Sequence, residues 1–161
     1  AMGKIDEMAL KELLSDPYFS RPAPKSLDRD HFSEHAATLL AKKTPADGAA
    51  TLTAFTAQAV RLALQEFPKP PRQFLVCGGG RKNDTLMQTL HRELGTQVKS
   101  VENVGWHGDA MEAQLFAFLA VRSRYRLPLS FPTTTGVASP RTGGRLFRAA
   151  PKTKEAAGQR T

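Results

Sequence analysis

"FLVCGGGRKND", residues 74–84, places a short apolar run directly before three consecutive glycines and a polar stretch. Four apolar residues followed by a turn signal predict a short strand that is fully buried, as in a sheet covered on both faces. Three successive glycines allow the backbone to turn tightly or to approach another group closely. The stretch therefore predicts the turn from a strand into a helix, the unit from which α/β folds are built.

The segment after the glycines has the pattern of a helix. Leu86, Leu90 and Leu94 recur at helical spacing, and either Asn83 or Asp84 is positioned to cap the first turn. In a strand–turn–helix unit of this kind, a phosphate or nucleotide contacts backbone N–H groups and the helix N-terminus. A tight turn that binds nothing explains the glycines equally well, so the pattern alone leaves both interpretations open.

The composition is that of a soluble globular protein. The chain has 161 residues, of which 40% are hydrophobic and 24% are charged, enough for one ordinary domain. Cys77 is the single cysteine, which excludes a disulfide within the chain, and we predict that it is a small core residue in a cytoplasmic protein. No apolar run is long enough to span a bilayer, so no membrane partner is expected.

The net charge of +8 raises the question of nucleic-acid binding. Residues 141–161 hold six basic residues against one glutamate, and so carry five of these charges. From Pro151 onward the sequence lacks apolar periodicity, which predicts a basic, disordered tail over residues 151–161. The phenylalanines lie in apolar segments and do not alternate with basic residues as a stacking platform requires. Nucleic-acid binding is therefore the weaker hypothesis, and no nucleic-acid partner is expected.

The remaining patterns predict further helices and one further strand. Helices are predicted over residues 4–16, 32–43, 44–67 and 109–126, and a strand over residues 96–101. The apolar face of the third helix is expected to consist of Leu52, Phe55 or Thr56, Ala59, Ala63 and Phe67. We expect the two strands to be adjacent and parallel, with the 84–94 helix between them. The helix from Asp109, apolar almost all round, is expected to be buried on the same sheet.

Two strands rarely suffice for a stable α/β domain. The sequence is therefore predicted to be part of a domain whose remaining sheet lies upstream of residue 1.

Several polar residues are candidates for a site. Asp109 and Glu112 have D-x-x-E spacing at a predicted helix start, which favours a capping box over an acidic pair at the lip of a cleft. Lys25 and Arg29 are predicted as surface charges, and Thr133, Thr134 and Thr135 as a turn. The histidines have no metal-ligand spacing with one another or with Cys77, so no metal site is predicted.

Five segments together resemble the anhydro-N-acetylmuramic acid kinase family. They are "GKIDEMALKELLSDPYFSRPAPKS", "TLTAFTA", "LVCGGGRKNDTLM", "GDAMEAQLFAFLA" and "TGVASPRTGGRLF", and they cover residues 3 to about 150 in order. The resemblance implies the actin, sugar-kinase and heat-shock chaperone superfamily, with two ribonuclease H-like domains around an ATP cleft. The expected fold class is thus α/β, a partial ribonuclease H-like domain over residues 1–150 with a parallel strand pair covered by helices.

The resemblance also implies a reaction and its residues. The family uses ATP with Mg²⁺ to open the anhydro ring of 1,6-anhydro-N-acetylmuramic acid with water and to phosphorylate O6, in peptidoglycan recycling. Gly78, Gly79 and Gly80 with Asn83 match the adenosine motif of the superfamily. Glu112 falls where the family has a glutamate near the active cleft, so it is expected to serve as an active-cleft residue, as a cap, or as both.

The sequence departs from the family pattern in two places. No residue matches the family's phosphate loop or the aspartate that acts as general base, both of which belong to its N-terminal half. The stretch Pro24–Arg29 lacks the family's Thr-Gly pair. We therefore expect the C-terminal part of a kinase, inactive alone, whose partners are ATP, the anhydro sugar, the missing N-terminal half or a second copy. The alternatives are a non-catalytic interaction or dimerisation module and, less favoured, a basic nucleic-acid-binding protein.

Overall fold

The computed structural model describes residues 3–28 and 30–148. Its helices are α1 (Glu7–Leu14), α2 (Ser33–Leu40), α3 (Pro45–Leu62), α4 (Asp84–Leu94), α5 (Met111–Arg124) and α6 (Pro132–Thr135), and its strands are β1 (Gln73–Val76) and β2 (Gln97–Ser100). Short 3₁₀ segments cover Pro17–Ser20, Ala63–Glu66, Gly79–Lys82 and Val101–Val104. Arg29 and the predicted tail over residues 151–161 lie outside the described residues.

The two strands form a parallel pair, as predicted. Gln73 is paired with Gln97 at one end and Val76 with Ser100 at the other, and α4 connects the strands. Parallel strands require such a crossover because the end of the first strand and the start of the second lie at opposite edges of the sheet. The α/β class is therefore confirmed.

The core lies between α3, α4 and the strand pair. Ala57, Leu90 and Leu94 are buried there. The partly buried residues around them are Val60, Leu64, Phe74, Val76, Leu86 and Val98. Gly95 ends α4 with a left-handed φ of 60°, a conformation that glycine adopts without steric cost. Gly95 therefore terminates α4, and Thr96 separates it from β2.

The buried face of α3 differs from the predicted one. Four small residues are buried, namely Ala50, Thr51, Ala54 and Ala57. By contrast, 40% of the surface of Leu52 and 49% of that of Phe67 are exposed. Thr51 accepts a hydrogen bond from the Asp6 amide (2.9 Å) at the start of α1. The small side chains let neighbouring helices approach closely, and this contact decides which face is covered.

The predictions of a fully buried strand and of a buried α5 are wrong for the described residues. Phe74, Leu75 and Val76 are half-buried, and Cys77 is exposed and lies just beyond β1. No residue of α5 is buried. The reason is the same in both cases, because the described part of the chain provides two strands and, beyond α3 and α4 packed against them, no layer to cover the remaining surface.

The described residues contain no helix that is both long enough and apolar enough to traverse a bilayer.

Candidate nucleotide-binding site

The glycine turn after β1 presents bare backbone to open space. Gly78 has a φ of 68°, the left-handed region that favours glycine. Gly79 and Gly80 have no positive φ and begin the 3₁₀ segment. A Cβ on Gly78 or Gly79 would meet no atom within 4 Å, whereas a Cβ on Gly80 would lie 3.3 Å from Leu86 Cδ2. The turn therefore leaves room over Gly78 and Gly79 for a group outside the described chain.

Helix α4 begins directly after this turn. The Asn83 side-chain oxygen accepts a hydrogen bond from the Leu86 amide (3.1 Å), which confirms Asn83 as the N-cap. The helix has 11 residues, and the partial positive charge at its N-terminus favours an anion nearby. Asn83 thus fixes the start of the helix, and it does so with the same side chain that the resemblance assigns to nucleotide binding.

The turns after β1 and β2 lie at one edge of the sheet. Val76 and Ser100, the last residues of the two strands, are paired with each other. In open α/β sheets this carboxyl edge is where ligands bind. Gly78–Gly80 follow β1 there, and the segment from Val101 to the start of α5 follows β2. The edge is therefore the candidate ligand-binding site of the described chain.

Arg81 connects the segments at this edge. Its Nη1 donates to the Gly78 carbonyl oxygen (2.7 Å) and to Asp109 Oδ1 (2.9 Å). Its Nε donates to Glu102 Oε1 (2.8 Å). Only 7% of the Arg81 side-chain surface is exposed. Lys82, 62% exposed, donates to the second Asp109 oxygen (2.9 Å).

The loop before α5 is fitted around this guanidinium. Gly108 is buried, and a Cβ there would lie 2.6 Å from Arg81 Cζ and 2.7 Å from Glu102 Oε1. The Gly108 amide donates to Glu102 Oε1 (3.1 Å), and the Gly108 carbonyl accepts from the Gly78 amide (3.3 Å). Backbone and side-chain hydrogen bonds thus join the same three segments.

The ion pairs favour the charged forms of all three groups. The pKa of Glu102 is lowered to about 2, first by its own backbone N–H and then by Arg81. Arg81, followed by Lys82, holds the pKa of Asp109 well below its usual range. Asp109 and then Glu102 raise the pKa of Arg81 above its usual value. The cluster is therefore ionised throughout the neutral pH range.

The capping-box prediction for Asp109 and Glu112 is wrong. Ala110 is the N-cap of α5, and no side chain caps it. The Asp109 carboxylate binds Arg81 and Lys82 instead, because the parallel strands bring these cations to the same edge. Glu112 lies exposed in the first turn of α5, three residues after Asp109.

Lys25 is not the free surface charge that was predicted. Its Nζ donates to the carbonyl oxygens of Phe19 (3.1 Å) and Arg21 (2.8 Å) and to Glu66 Oε1 (3.3 Å). Only 12% of its side chain is exposed. The ammonium therefore holds residues 19–25 against the 3₁₀ segment Ala63–Glu66, which follows α3. The turn predicted over Thr133–Thr135 is instead part of the short helix α6, which ends at Gly136 with a left-handed φ of 71°.

Acidic side chains near the turn do not form a metal centre. Within residues 3–28 and 30–148, no group of three or more His, Cys, Asp or Glu side chains is arranged to hold an ion. Glu102 and Asp109 are each paired with a cation, which makes them poor ligands for Mg²⁺.

Sequence reasoning missed Arg81, Glu102 and Gly108. One signal was available: basic residues follow β1, and acidic residues follow the parallel strand β2. Because parallel strands end at one edge, opposite charges in these positions are brought together.

A comparison with known families identifies the chain. The sequence profile described as "Anhydro-N-acetylmuramic acid kinase" matches residues 1–149. The chain belongs to this family. A protein of that name from Rhodospirillum rubrum is 55% identical over 148 residues, which are 92% of this chain and 39% of the relative. Another, from Acidiphilium cryptum, is 52% identical over 151 residues, which are 94% of this chain and 42% of the relative.

The family match does not extend over whole relatives. The chain spans about two fifths of the length of the curated family members it matches. A third relative, from Rhodopseudomonas palustris, is 52% identical and is covered to 40%. The glycine turn, Asn83 and Glu112 all lie inside the matched region.

Proposed function

We propose that the chain is the C-terminal, nucleotide-binding part of an ATP-dependent anhydro-N-acetylmuramic acid kinase of the actin-like, ribonuclease H-like fold. The observation that carries the proposal is the exposed turn Gly78–Gly80 between β1 and α4, with open space over Gly78 and Gly79. Family membership supports the substrate class. Residues 1–150 then form the kinase portion, and residues 151–161 a basic tail.

The whole enzyme would convert 1,6-anhydro-N-acetylmuramic acid, ATP and water to N-acetylmuramic acid 6-phosphate and ADP, in cytoplasmic peptidoglycan recycling. In this reaction the Gly78–Gly80 backbone receives the adenosine or α-phosphate side of ATP, because the position of Gly79 leaves space that a side chain would fill. Asn83 holds the start of α4 beneath the nucleotide. Glu112, exposed in the first turn of α5, is the proposed active-cleft residue.

Mg²⁺ does not fit the acidic groups of this edge. Arg81 and Lys82 bind Asp109, and Arg81 binds Glu102. We assign no step of the reaction to a metal held by these residues.

The chain by itself should have no kinase turnover. Phosphoryl transfer needs positioned phosphates, a metal and an oriented nucleophile. Of the residues proposed here, the Gly78–Gly80 turn and Asn83 serve the nucleotide, and none is assigned to hold the transferred phosphate, a metal or the nucleophile. A coupled ADP-release assay with the anhydro sugar should show background only, and turnover in the range of about 1–100 s⁻¹ typical of kinases would contradict the proposal.

A non-catalytic interaction module is the second candidate, and the exposed apolar surface of α5 favours it. Phe116 and Phe118 are 61% and 58% exposed. Either a second copy of the chain or the N-terminal half of the kinase would cover such a surface. A chain that forms a stable dimer and binds no ATP would support this candidate over the first.

Substitution of Gly79 tests the nucleotide site. A Cβ there meets no atom of the described chain within 4 Å and no positive φ opposes a side chain, so we expect the fold to tolerate valine. If ATP lies over the turn, Gly79→Val should weaken ATP binding by about tenfold or more, as measured by titration calorimetry. In an assembled kinase the same change should raise the KM for ATP and leave sugar binding unchanged.

Gly48→Val is the matched control. Gly48 lies in α3, also with open space around its Cβ position and no positive φ. It should leave the ATP affinity unchanged. Melting temperatures of both variants establish that they are folded. A folded Gly79→Val variant with unchanged ATP affinity would reduce the triple glycine to a turn without a ligand.

A further inference from the structure

We propose that Arg81 is a positioning residue, which holds the glycine turn and the start of α5 in a fixed relation. The inference rests on the proposed function, because that function assigns the nucleotide to the turn and an active-cleft role to Glu112. Arg81 would then determine the distance between the nucleotide side of the cleft and the side that carries Glu112.

The contacts of Arg81 point into the protein. Its three N–H···O bonds reach the turn, the segment after β2 and Asp109, the residue before the N-cap of α5. With 7% of its side chain exposed, the guanidinium is not displayed to a ligand as Lys82 is. Its function is therefore to fix geometry and not to bind phosphate directly.

Beyond Arg81 itself, the start of α5 is oriented mainly by the hydrogen bonds of Gly108 with Gly78 and Glu102. Ala110, its N-cap, receives no side-chain hydrogen bond, and no residue of the helix is buried. The Asp109 carboxylate, immediately before the N-cap, is bonded to Arg81 and Lys82. Since Glu112 follows Asp109 by about one helical turn, a shift of Asp109 relocates Glu112 with it.

Gly108 shows that the chain is built around this side chain. A Cβ at this position would collide with Arg81 Cζ and with Glu102 Oε1. Because glycine has no Cβ, the Arg81 guanidinium can occupy the space next to residue 108. The ion pairs are thus a fitted arrangement and not a chance contact of surface charges.

Lysine cannot replace arginine in this arrangement. A lysine ammonium is a compact charge and lacks the planar fork that bonds three segments at once. Arg81→Lys therefore keeps the positive charge and loses the planar arrangement of N–H donors. Arg81→Gln loses both the charge and that arrangement. If Arg81 acts by position, the two variants should behave alike.

The first test measures ATP affinity by titration calorimetry. We expect both Arg81→Lys and Arg81→Gln to weaken binding by about tenfold, since each loses charge-assisted hydrogen bonds to the turn or to the segments behind it. Lys82→Gln is the matched comparison, because it removes a neighbouring positive charge that bonds Asp109 but contacts neither the turn nor Glu102, and it leaves the bond from Asp109 to Arg81 in place. It should weaken binding by less than about threefold.

The second test measures coupling between the two sides. Asp109 does not contact the turn, yet Asp109→Asn should weaken ATP binding, and its effect should not add to that of Arg81→Gln. The Asp109→Asn change should also shift the Gly79 amide resonance in a ¹H–¹⁵N NMR spectrum. This shift does not depend on ATP.

Each outcome decides the inference. Arg81 variants that bind ATP like the unsubstituted chain, rescue of affinity by lysine, or an equal loss in Lys82→Gln would overturn it. If the unsubstituted chain binds no ATP, the proposed function fails, and the NMR shift alone then decides whether Arg81 couples the turn to α5. If Arg81→Gln does not fold, the Arg81→Lys and Asp109→Asn variants carry the test.

Discussion

At position 108 the surrounding side chains, and not the backbone conformation, require a glycine. It has no positive φ, so its backbone suits any residue, but a Cβ would lie 2.6 Å from Arg81 Cζ. Gly108→Ala should therefore displace the guanidinium and lower the melting temperature. Gly48→Ala is the control, because its Cβ meets open space in a helix and alanine favours helices over glycine. Equal melting temperatures for the two variants would contradict the fit described for Gly108.

Acid should weaken the cluster around Arg81. The pKa of Glu102 falls from an ordinary 4.5 to about 2 in the folded chain, so the unfolded chain binds more protons between these values. The stabilisation is fully present above the ordinary pKa and is lost as the pH falls through the folded value. Thermal melting between about pH 6 and pH 2 should show a smaller acid-induced loss in Arg81→Gln than in the unsubstituted chain. Parallel curves would contradict a stabilising role for the pair.

Among the elements, α4 and α5 have opposite environments. Leu90 of α4 is 6% exposed and Leu115 of α5 is 53% exposed. Leu90→Ala should lower the free energy of unfolding by about 2 kcal/mol or more. Leu115→Ala should change it by less than about 0.5 kcal/mol. Denaturant unfolding measures both, and a large loss in Leu115→Ala would mean that α5 is covered in solution.

The unit from β1 to β2 was predictable because its signals are local. The apolar run, the glycines, the cap at Asn83 and the leucine spacing each lie within a few residues of the feature they specify. The exposure of α5 was not predictable. Apolar residues indicate that a helix favours burial, but they do not show whether another element covers it. The Arg81 cluster was missed for a different reason. Its partners Glu102 and Asp109 follow 21 and 28 residues later, beyond any local pattern.

For the whole molecule, the exposed apolar surface of α5 should affect behaviour in solution. We expect the chain alone to bind a hydrophobic dye and to associate as its concentration rises, because such surfaces are usually covered by another protein. Phe116→Ser with Phe118→Ser should reduce both effects. Met8→Ser, which removes a single exposed side chain on α1 (80% exposed), is the control. Light scattering that shows a monomer at all concentrations would contradict this expectation.

The long sequence separation between Arg81 and its acidic partners also has a kinetic consequence. Because these contacts span 21 and 28 residues, we expect the ion pairs to form only after β2 has paired with β1, and hence to be absent from the folding transition state. Interactions absent from that state slow unfolding and leave the rate of folding nearly unchanged. The cluster would then act chiefly on the lifetime of the folded edge, so that the surface proposed for the nucleotide, once assembled, opens slowly.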